Sequence, residues 1–237
     1  SIKAAEAGKH VLCEKPVARS VAECRTLIEA RDRTGMKIGE AFMVRTHPQW
    51  LRARELVRTK AIGDLVSVSA AFSYTNRDPG NIRNVPEFGG GALMDIGCYP
   101  IQISRFLFES EPVRVSGAVQ RDPEFGTDRL TSAVLEFHTG HSVFTCSTQM
   151  VPYQRVQIFG TKGRIEVEIP FNAPPDRPCR LFVDDGRDVF GSGIRVEEFD
   201  ICDQYTIQGD AFSEAILTDA EDGKLIFRKM DLPELPD

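Results

Sequence analysis

The first 46 residues alternate between helix-like and strand-like segments, and this alternation constrains the fold more than any other feature of the chain. An apolar run inside "KHVLCEKPVA" (9–18) predicts a buried strand, and "MKIGEAFMVR" (36–45) predicts a second one. Between them, "SVAECRTLIEARDRTG" predicts a helix that has Ser20 as N-cap and ends at Gly35. Its expected buried stripe consists of Val21, Cys24, Leu27 and Ile28. Two strands joined by a crossover helix make one unit of a parallel sheet, so we expect residues 1–46 to form one domain.

From residue 47 onwards the pattern changes to many strands with few helices. A helix predicted over residues 48–63 leads into "DLVSVSAAFSYT" (64–75), whose alternation predicts an antiparallel strand with two different faces. Seven further strand-like segments follow, namely "VRVSGAVQ", "RLTSAVLEFH", "HSVFTCSTQM", "RVQIFG", "RIEVEI", "RLFVDD" and "IRVEEF". Helices are expected at about 91–109 and 204–218, and the proline-rich residues 170–178 are expected to form a surface loop. We therefore predict that residues 47–237 form an α+β domain with helices on one face of an open antiparallel sheet.

The other face of this sheet is expected to be flat, because it carries small hydroxyl residues. These are Ser67, Ser69, Ser73, Ser147 and either Ser142 or Thr145. Such a face is either solvated or packed against its own copy in a twofold dimer. We expect the dimer, because a broad sheet face is seldom left bare.

The composition excludes several classes of function. A net charge of −6 argues against a surface that binds nucleic acid, which needs clustered basic residues. No segment approaches the roughly 20 apolar residues of a membrane span, and the start of the chain does not look like a signal peptide, so we expect a cytoplasmic protein. The six cysteines and four histidines are scattered without ligand spacing, so neither a metal site nor a disulfide framework is predicted.

Three features carry residues that are suited to chemistry. Glu14 and Lys15 follow the first predicted strand, and ligands of open parallel sheets bind beyond the carboxyl ends of the strands. An ordinary surface ion pair is an equally good interpretation of these two charges. In "GGGALMDIGCYPI" (89–101), Asp95 and Tyr99 are four residues apart, which puts both side chains on one face of a helix. Arg83 is the third feature, as a ligand for a phosphate or a polar substrate or as a surface ion pair.

In combination these residues resemble the glucose-fructose oxidoreductase and inositol dehydrogenase family, and within it the dihydrodiol and xylose dehydrogenase branch. The matching segments are "AGKHVLCEKP" (7–16), "EAFMVRTHPQ" (40–49), "IRNVPEFGGGALMDIGCYPI" (82–101), "GTKG" (160–163) and "QGDAFSEAI" (208–216). The resemblance implies that residues 1–46 are the remnant of a doubly wound parallel domain of the Rossmann type. It also implies a nicotinamide cofactor, NAD or NADP, and a small sugar-, polyol- or dihydrodiol-like substrate.

The resemblance also assigns roles to particular residues. Lys15, Asp95 and Tyr99 correspond to the catalytic residues, and the bond between Lys15 and Pro16 is implied to be cis. Tyr99 exchanges a proton with the substrate while Lys15 favours its phenolate, and Asp95 orients the lysine or binds a substrate hydroxyl. Cofactor contacts are expected from Glu14, Lys15, Pro16 and Arg83. Arg45 joins the three catalytic residues as a weaker candidate for substrate binding.

In this family a G-x-G-x-x-G turn binds the cofactor phosphates, and the 237 residues contain none. The resemblance therefore leads us to expect that roughly 80–100 residues of the doubly wound domain are missing before residue 1. We expect this chain alone to bind the cofactor poorly and to be nearly inactive, whereas the parent protein is the enzyme. Two alternatives stay open: a non-catalytic module that dimerises through its sheet, and a nicotinamide-dependent hydrolase or lyase.

Overall fold

The computed structural model describes residues 1–218, so the end of the predicted second domain, including "FRKMDLPELPD", lies outside the described residues. The chain divides into two compact units. Among the described residues, the first combines Ser1–Thr46 with residues 205–218, and the second is His47–Gln204. The helix predicted near 204–218 therefore groups with the first unit, and not with the region to which the sequence pattern assigned it. None of the helices described here is long and apolar enough to cross a bilayer.

The first unit contains the predicted strand–helix–strand motif. Its elements are α1 (Ile2–Glu6), β1 (Val11–Glu14), α2 (Val21–Thr34), β2 (Ile38–Ala41) and, apart from its first residue, α5 (Gln204–Leu217). The Ser20 hydroxyl caps α2 by accepting from the Glu23 N–H, and Gly35 ends it with a φ of 69°. β1 and β2 are parallel neighbours. The predicted buried stripe of α2 is wrong at Val21, which is 45% exposed because it lies in the first turn at the helix end.

The second unit is a single eight-stranded sheet with two α-helices. Its elements are α3 (Pro48–Arg58), β3 (Leu65–Thr75), α4 (Cys98–Phe108), β4 (Arg114–Arg121), β5 (Asp128–Phe137), β6 (Gly140–Ser147), β7 (Gln149–Gly160), β8 (Arg164–Val167), β9 (Cys179–Asp184) and β10 (Ile194–Phe199). The strand order is β10-β9-β8-β7-β3-β6-β5-β4. This mixed α/β architecture, with one parallel pair in the first unit and a large, mostly antiparallel sheet in the second, confirms the predicted fold class.

One pairing of the large sheet differs from the prediction. β3 pairs with β7 antiparallel but with β6 parallel. After β3 the chain runs through α4 to the far edge of the sheet and returns through the β4–β5–β6 meander. A parallel pair needs such a crossover connection, and the alternation of apolar and polar residues within β3 carries no information about it.

The two faces of the sheet differ in the way the alternation of β3 indicates. Val68, Ala70 and Phe72 are buried on one face. Ser142 also belongs to the helix-covered side, because its hydroxyl lies 2.6 Å from the Ser104 hydroxyl in α4. Thr145, three residues further along β6, hydrogen-bonds to Ser132 across the opposite face. The small hydroxyl face therefore consists mainly of Ser67, Ser69, Ser132 and Thr145, whereas Ser73 and Ser147 are buried and bonded to backbone oxygens.

Residues 170–178 are a surface loop only in part. The Phe171 side chain is fully buried, and three side chains hold the backbone on either side of it. The carbonyl oxygens of residues 169, 170 and 171 accept hydrogen bonds, in order, from Gln49 (2.9 Å), Trp50 (2.7 Å) and Gln204 (3.2 Å). On the amide side, Gln154 Oε1 accepts from the N–H groups of Phe171 and Asn172. The proline content predicted a loop, but these side-chain clamps fix its first residues in the core.

Candidate active site

The carboxyl end of β1 carries the first group of predicted site residues. β1 and β2 end in register, with Glu14 opposite Ala41, and the peptide bond between Lys15 and Pro16 is cis, as the resemblance implies. Glu14 is exposed, whereas Lys15 and Pro16 are half-buried. Arg45 lies in a 3-10 turn (Met43–Arg45) beyond β2, so it belongs to this first unit.

In the second unit, the glycine triplet brings Arg83 to the start of the helical segment. The Gly91 N–H donates to the Arg83 carbonyl over 2.8 Å. A Cβ at Gly90 would lie 2.6 Å from the same oxygen, so only glycine permits this approach. Gly91 has a φ of 122°, and a Cβ there would collide with Asp128. Gly90 and Gly91 therefore allow a close backbone approach that a side chain would block.

Asp95 lies in a π-helical turn, Leu93–Gly97, immediately before α4. Each of its carboxylate oxygens has a partner from a different part of the chain. Tyr74, at the end of β3, donates its hydroxyl to Oδ2 over 2.5 Å, and Arg83 Nε lies 3.1 Å from Oδ1. Asp95 is 12% exposed and Arg83 is 45% exposed. The sequence alternative of an ion pair at Arg83 is thus realised, but with a mostly buried carboxylate as its partner.

Tyr99, in the first turn of α4, packs into an aromatic cluster. Its ring meets Phe72 edge-on at 5.8 Å between centroids and Phe171 at 5.4 Å, and these two phenylalanines stack at 4.8 Å. Phe72 and Tyr74 are two residues apart on β3, so Asp95 and Tyr99 contact the same strand from the same side. Gly97 approaches the same face closely, since a Cβ there would lie 2.9 Å from Sγ of Cys146, the partner of Phe72 in the neighbouring strand.

The electrostatics of the cluster stabilise its hydrogen bonds. Burial and the hydrogen bond to Asp95 raise the pKa of Tyr74 well above the ordinary value of a phenol. The charge of Asp95 raises the pKa of Arg83, and the phenol groups of Tyr74 and Tyr99 contribute in the same direction. Tyr74 therefore stays protonated and Arg83 charged at neutral pH, and Arg83 lies within electrostatic range of both tyrosines and Asp95.

A cavity of about 760 Å³ opens within the second unit, mainly on the sheet face opposite to this cluster, because the register puts Tyr153 and Arg155 on the side of Ser73 and Ala71. Its wall includes Phe72 and Tyr74 from β3, and the rest is mainly polar. The other main contributors are Tyr153, Gln154, Arg155, Glu168, Asn172, Arg177, Arg180 and Glu198. This volume lies in the range that accommodates small organic ligands. In the described part of the chain no three His, Cys, Asp or Glu side chains are grouped as a metal site would require.

Sequence reasoning missed Tyr74, Gln154 and Phe171. The alternation along β3 does place Phe72 and Tyr74 on one face, which is a usable signal. It does not say that the segment around residue 95 covers that face. Gln154 and Phe171 act through side-chain to backbone bonds across the chain, for which no local pattern exists.

Two segments of the chain match models of known protein families. Residues 1–42 match the model of an oxidoreductase family with an NAD-binding Rossmann fold, and residues 50–166 match the GFO/IDH/MocA C-terminal domain. Both models describe parts of one oxidoreductase family with an NAD-binding Rossmann fold. The chain belongs to the GFO/IDH/MocA family, which confirms the resemblance seen in the sequence.

Individual relatives agree with this assignment. An uncharacterized oxidoreductase of Rhizobium meliloti is 45% identical over 217 residues, covering 91% of this chain and 65% of the relative. D-xylose 1-dehydrogenase (NADP+) 2 of Haloferax volcanii is 36% identical over 239 residues, covering 96% of this chain and 70% of the relative. The crystal structure of an aldose-aldose oxidoreductase from Caulobacter crescentus, complexed with glycerol, superimposes with a TM-score of 0.82 at 28% identity. The match covers 93% of this chain and 65% of that protein. The chain thus spans about two thirds of the length of these relatives.

The residues present fit one end of a nicotinamide dinucleotide. The parallel strands β1 and β2 end at one edge, and Glu14, Lys15 and Pro16 lie at that edge, where open parallel sheets bind ligands. These are the residues of the first unit that would hold the cofactor.

Proposed function

We propose that this protein is an NAD(P)-dependent oxidoreductase that interconverts a hydroxyl and a carbonyl group of a sugar-, polyol- or dihydrodiol-like substrate. The observation that carries the proposal is the Tyr74–Asp95–Arg83 cluster, which lies next to Tyr99. The names of the Haloferax and Caulobacter relatives support a sugar substrate. They do not favour a non-catalytic module or a hydrolase or lyase.

Lys15, Asp95 and Tyr99 are the proposed catalytic residues. The bound nicotinamide supplies hydride transfer, and the protein must bind the substrate and move one proton. Tyr99 exchanges that proton with the substrate oxygen, and Lys15 lowers the cost of its phenolate form. Asp95, whose two oxygens are held by Tyr74 and Arg83, orients the lysine or binds a substrate hydroxyl.

We retain Arg45 and Lys15 as further substrate contacts, and Glu14, Pro16 and Arg83 as cofactor contacts, as the resemblance implies.

A product assay tests the proposed function. The protein is incubated with NAD+ or NADP+ and with D-xylose, D-glucose, myo-inositol or a cyclic dihydrodiol, and reduced nicotinamide is followed by its absorbance. We expect stoichiometric formation of reduced cofactor and oxidised product with at least one of them. Product formation without net reduction of the cofactor would instead indicate the hydrolase or lyase. No reaction, together with no binding of any substrate, would overturn the proposal.

We further propose that the protein dimerises through the small hydroxyl face of its sheet. A shallow depression of about 540 Å³ on this face is lined by small side chains such as Ser69, Ser132 and Thr145, and Val143 beside them is 39% exposed. Sedimentation velocity should show a dimer that Val143→Asp converts to monomer, whereas Val189→Asp, at an exposed loop, leaves it intact. We keep the cytoplasm as the proposed location, since a chain with six scattered cysteines suits a reducing compartment.

A further inference from the structure

The helical segment that carries Asp95 and Tyr99 begins at a position without a capping side chain. The segment starts at Ala92, and the Asp95 N–H donates to the Gly91 carbonyl over 3.1 Å. Gly91 is therefore the N-cap residue, whose side chain would usually accept from the second or third N–H of the helix. Because glycine has no side chain, the N–H groups of the first turn need an acceptor from elsewhere in the chain.

Asp128, the first residue of β5, supplies this acceptor. Its Oδ2 accepts from the Leu93 N–H over 2.8 Å and from the Thr131 hydroxyl over 2.8 Å. Its Oδ1 lies 1.9 Å from the position that a Cβ of Gly91 would occupy, so the carboxylate stands where a capping side chain would begin. A helix start also favours a negative charge. Gly91 and Asp128 together therefore form one helix cap from two distant segments.

This cap holds one end of the π-helical turn Leu93–Gly97, and a close contact holds the other end. Gly97 approaches β6 so closely that a Cβ would lie 2.9 Å from Cys146 Sγ. Burial and, after it, the charge of Asp128 raise the pKa of the Cys146 thiol to about 12, which agrees with a carboxylate near this contact. Asp95 lies between the two ends, so its backbone is held from both sides. Such π-helical turns are rare and are frequent at functional sites.

We propose that Asp128 is a positioning residue for the proposed reaction, which caps the segment that carries Asp95 and Tyr99 and so holds both side chains in place. The inference rests on the proposed function, because it takes these two residues to be catalytic. Asp128 acts through the backbone, since loss of the cap frees the first turn of the segment. A displacement of about 1 Å at a reacting group can cost about 100-fold in rate.

Steady-state kinetics of Asp128 variants test the positioning role, at a temperature at which every variant is folded. Asp128→Ala removes the acceptor, so kcat should fall by about tenfold to hundredfold. Asp128→Asn keeps an acceptor for the Leu93 N–H, so it should retain kcat within about threefold. Asp122→Ala is the matched control, because Asp122 is also buried and accepts from two backbone N–H groups and from the Gln149 amide. It should lower the melting temperature and leave kcat unchanged.

Hydrogen exchange of the Leu93 amide tests the cap without relying on turnover. This amide should exchange about tenfold faster in Asp128→Ala than in the unmodified protein, because its hydrogen bond is lost. Asp128→Asn and Asp122→Ala should both keep its protection. If Asp128→Ala does not fold, Asp128→Leu replaces it in both experiments, since leucine has nearly the shape of aspartate and accepts no hydrogen bond.

The possible failures are distinguishable. If a sugar is turned over but Asp128→Ala keeps kcat within about twofold, the positioning role is overturned and the proposed function stands. The same holds if Asp122→Ala loses as much kcat, if Asp128→Asn is as slow as Asp128→Ala, or if the Leu93 amide stays protected in Asp128→Ala. If the unmodified protein turns over no substrate, the proposed function fails, and the positioning role fails with it.

Discussion

The end of β1 and the start of α4 carry the two halves of the proposed catalytic machinery, and they are built in different ways. At the end of β1 the backbone sets the position of Lys15, because a parallel strand stops there. At the start of α4, side chains from distant segments set the positions of Asp95 and Tyr99. Tyr74 on β3 and Arg83 in a 3-10 turn both contact Asp95. Phe171, in the clamped loop, packs against Tyr99.

This difference affects how each half should respond to mutation. A strand end positions its residues through the backbone, so we expect the substitution of Lys15 itself to have the largest effect there. A side-chain cluster depends on each of its members, so substitutions at residues that never touch substrate should still affect it. The predictions below use this contrast, and they are ordered from the largest expected effect to the smallest.

The largest effect on catalysis is expected from the substitution of Tyr99. Tyr99→Phe keeps the ring that packs against Phe72 and Phe171 and removes only the hydroxyl. We expect kcat to fall by about 10²- to 10⁴-fold, the usual contribution of a general acid–base residue, with little change in melting temperature. Steady-state kinetics measure this, with Tyr205→Phe, at a tyrosine that is 57% exposed, as the control. A loss of less than about threefold would remove Tyr99 from the proton-transfer role.

Phe171 is expected to have the largest effect on stability. Phe171→Ala should destabilise the second unit by about 3–5 kcal/mol, since the ring is fully buried between Phe72 and Tyr99. Trp50 is the only tryptophan and is bonded to the neighbouring carbonyl, so its fluorescence in urea reports this unit. Phe190→Ala, at a residue that is 90% exposed, should change stability by less than about 0.5 kcal/mol. Equal effects at both positions would contradict the side-chain account of this region.

His47 should make the second unit sensitive to acid. Its ring is buried, Nδ1 accepts from the Gln49 N–H at the start of α3, and burial lowers the pKa of His47 to about 4. The unfolded chain binds a proton near pH 6.5, so between these values unfolding takes up a proton. Stability is therefore fully present above about pH 6.5 and falls as the pH drops towards 4, by on the order of 3 kcal/mol.

Urea titrations at several pH values check this prediction, again with Trp50 fluorescence. His47→Asn keeps an acceptor for the Gln49 N–H and removes the titration, so it should flatten the profile. His141→Gln, at an exposed histidine, should leave the slope unchanged. A slope that survives in His47→Asn would assign the acid sensitivity to other groups.

The smallest effect is expected on the stability of helix α2 in the first unit, from a substitution at its N-cap. Ser20→Ala removes the acceptor for the Glu23 N–H and should cost about 1 kcal/mol. Hydrogen exchange of the α2 amides measures it, because it reports the helix locally. Thr26→Ala, at an exposed position inside the same helix, should leave protection equal or slightly higher. If α2 were stabilised mainly by packing, the two substitutions would have similar effects.

The sequence was informative where local chemistry sets the structure. Ser20, Gly35 and the apolar runs of β1 and β2 gave the strand–helix–strand motif with nearly correct ends. The segments of β4, β5, β8, β9 and β10 were also correctly identified. Local signals suffice there because caps, turns and alternation act within a few residues.

The rest depends on contacts between distant segments. The parallel pairing of β3 with β6 follows from the path of the chain, and the burial of Phe171 follows from bonds to Gln49, Trp50 and Gln204. For the site, the spacing of Asp95 and Tyr99 was visible, but their partners Tyr74 and Phe171 were not. A strand face can be derived from alternation, whereas the element that covers it cannot.

The central claim is that Lys15 and Tyr99 act in the same proton transfer. A double-mutant cycle of Lys15→Ala and Tyr99→Phe, measured as kcat/KM with the preferred sugar and cofactor, tests it most directly. Each single substitution should cost about 10²- to 10⁴-fold. If both residues serve one step, kcat/KM of the double variant should be close to that of the less active single variant. The reason is that the effects of groups that act as a unit are strongly non-additive. Losses that simply multiply in the double variant would contradict the claim.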